Sequence, residues 1–190
     1  GGRRAGNLSA EYGVPAASSV AELLARDDVD AGGLATPDQL RAERAEQGAA
    51  AGKHLLAEKP LARTVAECEA IIAACSKAGV LLMVGHVLRY FPEYIEAKRV
   101  VAEGGLGKLV SLFARRTNLI SQQDRLKGRV GVLMFLGVHD FDVLRWIGGS
   151  EARRIFCESA TSAPGAHPIE NETFATLTFA NGSIGCVHAG

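Results

Sequence analysis

The sequence predicts an α/β fold, in which a doubly wound parallel-sheet domain is followed by an α+β domain whose sheet is mainly antiparallel. Helix and strand signals alternate from residue 19 to residue 85, which is typical of parallel sheets with right-handed helical crossovers. After Gly85 the alternation stops, and three strand patterns follow one another toward the C-terminus. The chain has 190 residues, 47% apolar and 22% charged, which is enough for one good core or two small ones.

Three segments in the first part have residue patterns typical of a helix N-terminus. Residues 19–22 (Ser-Val-Ala-Glu) have the spacing of a capping box, in which a hydroxyl and a carboxylate reciprocally satisfy free backbone N–H groups. Thr36 and Pro37 open a second helix, with Pro37 in its first turn, and Gly52 ends it. Residues 64–67 (Thr-Val-Ala-Glu) form another box. The apolar spacing that follows predicts a buried helix face made of Cys68, Ile71, Ile72 and Cys75.

Short apolar runs alternate with these helices. Residues 53–57 and 80–85 predict two buried strands of the parallel sheet. In the second part, residues 92–103 predict a helix that ends at a glycine pair, and residues 108–117 alternate well enough for a strand. The polar residues 118–130 have no periodicity and predict a surface loop.

A long apolar helix and three strands complete the second part. Residues 131–147 are apolar nearly all round, which predicts a helix buried in the core. Residues 153–160, 171–180 and 183–190 are predicted strands. The Asn-Gly pair at 181–182 is a strong hairpin signal between the last two, so we expect a largely antiparallel sheet.

The composition argues against several classes of partner. Lys plus Arg and Asp plus Glu number 21 each, so no basic face for nucleic acid is indicated. No apolar run reaches about 18 residues, and the first residues lack the apolar stretch of a secretory signal, so we expect no membrane segment and a cytoplasmic location. The four cysteines form no CxxC pair and are expected to be reduced. His54, His167 and His188 lack ligand spacing, so no metal site is expected.

Several short motifs follow one another in a specific order. Glu58-Lys59-Pro60 come first, then an arginine-aromatic-proline step at 89–92, Gly-x-Gly-Lys at 105–108, and Gly-Val-His-Asp at 137–140. Together they resemble the Gfo/Idh/MocA family of NAD(P)-dependent enzymes, the glucose-fructose oxidoreductase and inositol dehydrogenase type. The likeness covers nearly all of the chain, and it implies a dehydrogenase that acts on a sugar or polyol hydroxyl.

The resemblance implies two proton-transfer residues, because a hydroxyl proton must move when a hydride passes between the carbinol carbon and nicotinamide. Lys59 follows the predicted strand 53–57, at the carboxyl edge where open α/β sheets bind ligands. A partly desolvated ammonium there can shuttle a proton or polarise the oxygen. Pro60 fixes the direction of the turn and so aims Lys59. His139 is the second candidate, because imidazole titrates near neutral pH.

The resemblance further implies contacts to cofactor and substrate. Thr36, Pro37, Glu58 and Lys59 are the expected contacts to NAD or NADP. The expected substrate-lining residues are His86, Arg89 and Asp142. We also expect a homo-oligomer formed through the sheet of the second domain.

Structural roles stay open for many of these residues, because each residue type also serves in packing. His139, Asp142 and Arg145 lie on one helical stripe and could pair with one another. His86 and Arg89 could support the fold rather than line the site. Other residues are assigned to structural contacts, with the cysteines placed in the core: Asp140, Tyr90, Trp146, Cys157 and Cys186.

The sequence departs from the family pattern at three points. Phe135 stands where members commonly have an aspartate four residues before the histidine, and Arg41 stands where they often have a histidine. No GxGxxG turn occurs, although a dinucleotide site needs one after its first strand. We therefore expect an internal fragment, with the cofactor site incomplete. Residues 1–86 would be the C-terminal part of a Rossmann-like domain, and residues 87–190 the N-terminal part of an α+β substrate and dimerisation domain.

Three functional hypotheses follow. The first is an NAD(P)-dependent sugar or polyol oxidoreductase that uses Lys59 and His139 in proton transfer. The second is a nicotinamide-dependent glycosidase of the same family, in which a transient oxidation enables bond cleavage without net redox change. The third is a non-catalytic fragment or interaction module, which Phe135 and the absent glycine turn suggest.

Overall fold

A computed structural model describes residues 2–119, 130–161 and 169–190, with the backbone alone for residues 2–4. The chain divides into two compact units, one ending at Gly85 and the other beginning at His86. Most of the predicted surface loop at 118–130, and His167, lie outside the described residues. Each unit has its own sheet, and the two are described separately.

The first unit is a three-stranded parallel sheet with helices between its strands. The strand order is β1-β2-β3, and both pairings are parallel. In chain order its elements are α1 (Gly2–Tyr12), α2 (Val20–Leu24), β1 (Ala31–Leu34), α3 (Asp38–Ala50), β2 (His54–Ala57), α4 (Val65–Ala78) and β3 (Leu82–Val84). The predicted parallel α/β arrangement is confirmed, whereas helix α1 was not predicted.

Helices α3 and α4 pack over one face of this sheet. The core beneath them consists of Ala45, Ala49, Leu55, Ala62, Ile71 and Cys75. The prediction that β2 and β3 are buried strands was wrong for alternate residues, since Leu56 is 50% and Met83 45% exposed. Successive side chains point to opposite faces of a strand, and those two lie on the face away from the core. Ile72 is likewise 54% exposed, because it lies about a quarter-turn round α4 from the buried Ile71.

The predicted helix caps form with small differences. Thr64 and Glu67 make the complete capping box of α4. At α2, the Ser19 hydroxyl accepts from the backbone N–H of Glu22 at 3.0 Å, but the Glu22 carboxylate accepts from Ser18 rather than completing the box on Ser19. Helix α3 begins at Asp38, so Pro37 precedes the first turn instead of lying in it. The sequence therefore locates helix ends to within about one residue.

The second unit is a four-stranded mixed sheet with helices on one face. The strand order is β4-β7-β6-β5; β7-β6 and β6-β5 are antiparallel, and β4-β7 is parallel. The hairpin expected at 181–182 joins β6 to β7, with Gly182 at φ +85°. Its elements in chain order are a 3-10 turn (Val87–Tyr90), α5 (Pro92–Ala102), β4 (Ser111–Arg116), a π-helix (Leu133–Gly137), α6 (Val138–Gly148), β5 (Ala152–Ala160), β6 (Glu172–Phe179) and β7 (Ile184–Ala189).

The predicted helix at 131–147 is divided into two types. Leu133–Gly137 forms a π-helix, and α6 continues from Val138. The burial is as predicted on one side, where Leu144 packs on Ala175, Leu177, Phe179 and Val187 of the sheet. However, the helix is not uniformly apolar inside, because Asp140 and Asp142 are also buried. These two carboxylates need partners in the core.

The opposite face of this sheet is exposed. We call it the open sheet face; its apolar members include Phe113, Phe156, Phe174 and Ile184. The prediction that Cys157 is a core residue was wrong, because β5 is an edge strand on which every residue after Ala152 is exposed. Cys186 lies on the open sheet face and is only half-buried.

All four cysteines are free thiols in the structure. Among the described residues, no helix is both long enough and apolar enough to cross a membrane.

Replacing Gly185 with alanine is expected to destabilise the second unit by about 1–3 kcal/mol. The added methyl carbon would lie 2.9 Å from Cε2 of the buried Phe179 ring, which has no room to move. Denaturant unfolding followed by the fluorescence of Trp146, the only tryptophan in the chain, measures the change. Ile184→Val, at the neighbouring position on the open sheet face, is the control and should leave the midpoint nearly unchanged. Equal stability of both variants would contradict the tight packing described.

Candidate active site

The ends of three parallel strands define one edge of the first unit. Leu34, Ala57 and Val84 are partners across the sheet and are the last residues of β1, β2 and β3. The segments that follow β1 and β2 therefore leave the sheet at the same edge. This arrangement brings the predicted cofactor residues, Thr36 and Pro37 with Glu58 and Lys59, to one edge.

Backbone hydrogen bonds fix the turn that carries Lys59. The Glu58 N–H donates to the Leu34 carbonyl at 3.0 Å, so the turn begins while β2 is still paired with β1. The Lys59 N–H donates to the Glu58 carboxylate at 3.2 Å, and the Lys59–Pro60 peptide bond is cis. Lys59 itself is half-buried. The turn therefore holds Lys59 at the edge of the sheet with part of the residue shielded from solvent.

Gly85 extends the pairing at the same edge. Its N–H donates to the Ala57 carbonyl at 2.7 Å. A Cβ on Gly85 would lie 3.4 Å from that oxygen, which is an ordinary van der Waals distance.

A buried arginine joins the two loops. The guanidinium of Arg41, from α3, donates to the carbonyl of Thr36 at 2.7 Å and to the carbonyl of Pro60. Burial lowers the pKa of Arg41, while the nearby Asp38 and Glu58 favour its charged form. In the sequence, Arg41 stands out only as a departure from the family pattern. Its contacts could not be predicted, because they depend on the path of a loop about 20 residues away.

In the second unit, the structure brings the three predicted substrate-lining residues together. The buried Asp142 carboxylate accepts from Nε and Nη2 of Arg89, at 2.8 and 2.6 Å. His86 Nδ1 lies 3.7 Å from the same carboxylate. The hydrogen bond to Asp142 raises the pKa of Arg89. This bidentate pair fastens the 3-10 turn to α6.

Two charged residues of the α6 stripe, Asp142 and Arg145, pair with residues outside the helix. Asp142 bonds Arg89, and Arg145 pairs with Glu151 at 2.6 Å. Partners from outside the helix are available, and a bidentate contact is stronger than a strained one along the helix. The Arg89 guanidinium also lies 5.9 Å from the Trp146 ring centroid, which supports the packing role assigned to Trp146. Tyr90, also assigned to packing, is instead mostly exposed at the end of the 3-10 turn.

His139 is the second residue of α6 and is half-buried. Its neighbour Asp140 accepts from Nε and Nη2 of Arg116, on β4, at 3.1 and 2.9 Å. Arg116 also donates to the Tyr94 hydroxyl at 3.3 Å. Burial lowers the pKa of Arg116, but the bonds to Asp140 and Tyr94 outweigh this and raise it overall. The first turn of α6, and with it His139, is thereby tied to the sheet.

Sequence reasoning missed Arg116 and Tyr94. Arg116 carries one signal, since it lies on the inward side of the alternation in β4, where an unpaired cation would be costly. Phe135 lies within the π-helix and is half-buried. At this position the resemblance implies an aspartate in other members of the family. Across the described residues, no group of three His, Cys, Asp or Glu side chains could hold a metal ion.

Both parts of the chain match known protein families. Residues 1–86 match the oxidoreductase family with an NAD-binding Rossmann fold, and residues 94–190 match the GFO/IDH/MocA C-terminal domain. The chain belongs to the Gfo/Idh/MocA family. The resemblance drawn from the motifs, the fold class and the enzymatic nature of the family are thus confirmed.

Relatives of this family differ in the reactions that their names describe. The chain is 28% identical to 2,7-anhydro-N-acetylneuraminate hydratase of Escherichia coli, over 97% of this chain and 52% of the relative. It is 30% identical to 1,5-anhydro-D-fructose reductase of Ensifer adhaerens, over 90% of this chain and 53% of the relative. The chain therefore spans about half the length of these curated relatives.

Among solved structures, the chain is similar to the WlbA dehydrogenase of Bordetella pertussis in complex with NADH and UDP-GlcNAcA. The TM-score is 0.88 and the identity 26%, over 100% of this chain and 56% of that one.

Asp140→Asn is expected to destabilise the second unit by about 3 kcal/mol, because it leaves the guanidinium of Arg116 partly buried beside a neutral amide. Denaturant unfolding followed by Trp146 fluorescence reports this unit. Glu96→Gln is the matched control, since it removes a carboxylate that pairs with Arg99 at the exposed surface. We expect no measurable change for Glu96→Gln. Similar midpoints for both variants would show that the Asp140 pair does not hold α6 to the sheet.

Proposed function

We propose that this chain contributes to an NAD(P)-dependent oxidoreductase that transfers a hydride between nicotinamide and the hydroxyl-bearing carbon of a sugar or polyol. The observation that carries the proposal is the aligned edge of β1, β2 and β3, from which Thr36, Pro37, Glu58 and Lys59 all emerge. In open parallel sheets this is the edge at which ligands bind. Family membership supports the same assignment.

The residues at this edge fit the nicotinamide end of such a cofactor. The Thr36 hydroxyl oxygen is buried and, among the described residues, makes no hydrogen bond. Buried hydroxyls are normally satisfied, so an outside donor or acceptor is expected there. A carboxamide or ribose hydroxyl offers both. Thr36 and Pro37 would hold the cofactor on one side of the edge, and Glu58 and Lys59 on the other.

Lys59 would move the proton. When bound, the nicotinamide would supply the hydride acceptor, and the substrate hydroxyl would have to lose its proton. Lys59 is half-buried at the strand edge, where its ammonium could pass a proton to or from the substrate oxygen or polarise that oxygen as a cation. His139, on the anchored first turn of α6, is our second candidate for proton transfer.

Of the three substrate-lining candidates, we propose that His86 contacts the substrate, rather than Arg89 or Asp142. Arg89 and Asp142 are committed to each other by two hydrogen bonds, so their charges are largely neutralised. We propose that this pair holds the start of the second unit in place, while His86 faces substrate. The identity of the sugar or polyol and the choice between NAD and NADP are to be decided by titration.

A redox-neutral reaction is the second candidate, and the E. coli relative named a hydratase favours it. A hydratase adds water without net oxidation. The nicotinamide-dependent glycosidase hypothesis has the same signature, because a transient oxidation is reversed before the product leaves. Substrate conversion without accumulation of NADH would identify this class, and stoichiometric NADH would identify a dehydrogenase.

Lys59→Met is expected to lower turnover by about 10²-fold or more, because the proton-transfer group is lost. The measurement is steady-state turnover and calorimetric binding of NADH and NADPH, using the protein as its gene encodes it. Cofactor binding should weaken much less than turnover falls, since methionine keeps the length of the side chain and Thr36, Pro37 and Glu58 remain in place. Lys77→Met, on the exposed last turn of α4, is the control. Retained turnover in Lys59→Met would remove Lys59 from the mechanism, and no cofactor binding by the wild type would contradict the proposed function.

We further propose that two copies associate through the open sheet face. Monomeric proteins rarely expose contiguous apolar patches of this kind. The aromatic side chains Phe113, Phe156 and Phe174 come from three different strands on the same face, so they form a broad surface rather than isolated contacts. A second copy presents the same surface and can cover it.

Phe113→Arg is expected to convert the dimer into a monomer, because it introduces a charge in the apolar face. Leu106→Arg is the matched control, because Leu106 and Phe113 are each 67% exposed but Leu106 lies outside the sheet. Sedimentation equilibrium gives the mass of each variant. A monomeric wild type, or a dimer that survives Phe113→Arg, would contradict association through this face.

A further inference from the structure

Two arginine contacts connect the segment after β1 with the segment after β2 in the first unit. Arg41, on α3, reaches across to the carbonyl of Pro60 while also holding the carbonyl of Thr36. Arg63, beyond the turn after β2, places its Nε 3.5 Å from the Asp38 carboxylate at the start of α3. The loop after β1 and the loop after β2 are therefore connected twice.

The first of these contacts is the more unusual, because Arg41 is only 4% exposed. Its Nε is buried and, within the described residues, makes no hydrogen bond. The hydrogen bonds that it does make go to neutral carbonyls rather than to a carboxylate. Burying a cation in this way costs free energy. Elsewhere α3 faces the sheet with small residues, Ala45, Gly48 and Ala49, so packing alone does not call for an arginine.

The carbonyls that Arg41 bonds belong to loops rather than to the strands of the sheet. Thr36 lies beyond the end of β1, and Pro60 lies beyond the end of β2. Each is adjacent to a residue of the proposed cofactor site, because Pro37 follows Thr36 and Lys59 precedes Pro60. The position of the guanidinium thus sets the separation between the two halves of that site.

We propose that Arg41 is a positioning residue, which holds the Thr36–Pro37 segment and the Lys59–Pro60 turn at the separation that the cofactor requires. This inference rests on the proposed function for the identity of the ligand, but the loop restraint itself does not. A planar guanidinium can donate to two carbonyls at once in fixed directions. A lysine ammonium at the same position has one nitrogen on a flexible stem and cannot reproduce the bridge.

Hydrogen exchange on the 190-residue chain tests the restraint without any cofactor. In Arg41→Lys and Arg41→Met, we expect the amides of residues 57–62 to exchange about tenfold faster or more, because the charge-assisted hydrogen bonds are lost. Arg44→Met is the matched control, since Arg44 bonds Gln47 on its own helix. We expect its effect on residues 57–62 to stay below about twofold.

Arg63→Gln provides a second route to the same result. It removes the cation near Asp38 from a side chain that is 49% exposed, and the glutamine amide can still donate to the carboxylate, so the fold should stay intact. We expect faster exchange at residues 57–62 here too, by a smaller factor than in the Arg41 variants. Unchanged exchange in both Arg41→Lys and Arg63→Gln would overturn the proposal.

Cofactor affinity tests the connection to function. The dissociation constant of NADH should rise about tenfold or more in Arg41→Ala and stay near the wild-type value in Arg44→Ala. Free guanidinium ion, at a concentration that leaves the fold intact, should restore affinity to Arg41→Ala alone. A purely structural loss would not be rescued in this way, and absence of rescue with normal exchange would refute the positioning role. If the wild type binds no nicotinamide cofactor, the proposed function fails, whereas the exchange experiment still decides whether Arg41 restrains the loops.

Discussion

Parallel pairing with aligned strand ends is the constraint on which the first unit depends. Because Leu34, Ala57 and Val84 are partners, the hydrogen-bonded ladder stops at one level across all three strands. Every loop that leaves this level starts from a common plane. The backbone bonds from Glu58 to Leu34 and from Gly85 to Ala57 extend that plane by one residue. The chemistry proposed for Lys59 is thus built on backbone geometry at the end of the strands, and the side chain of Arg41 restrains the loop beyond it.

In the second unit, the core helix α6 carries two buried carboxylates that need partners. Asp140 and Asp142 are separated by one residue on α6, and each meets an arginine from a different element, β4 or the 3-10 turn. Neither carboxylate is left unpaired in the core, so the cost of desolvation is offset by two charge-assisted bonds on each. The pairs also remove rotational freedom from the helix. The Asp140 pair fixes α6 against β4 of the sheet, and the Asp142 pair fixes it against the 3-10 turn.

Much of this architecture follows from local patterns in the sequence. The box at Thr64 and the Asn-Gly hairpin are decided by a few neighbouring residues, so they could be predicted. The apolar run at 53–57 predicted a buried strand, and the spacing in α4 placed Ile72 on the buried face. Both Leu56 and Ile72 are exposed, because an apolar pattern does not show how far a neighbouring element will cover it. The contacts of Arg41 and Arg116 join residues that are distant in sequence. Such contacts can be predicted only when the strand order and the paths of the loops are known.

The π-helix at Leu133–Gly137 changes how spacing should be counted near His139. A π-turn closes its hydrogen-bonded ring one residue further along than an α-turn does, so each residue within it turns the chain through a smaller angle about the helix axis. A helical wheel drawn for α6 therefore does not describe the five residues before it. A residue added to or removed from those five would rotate everything upstream relative to the histidine.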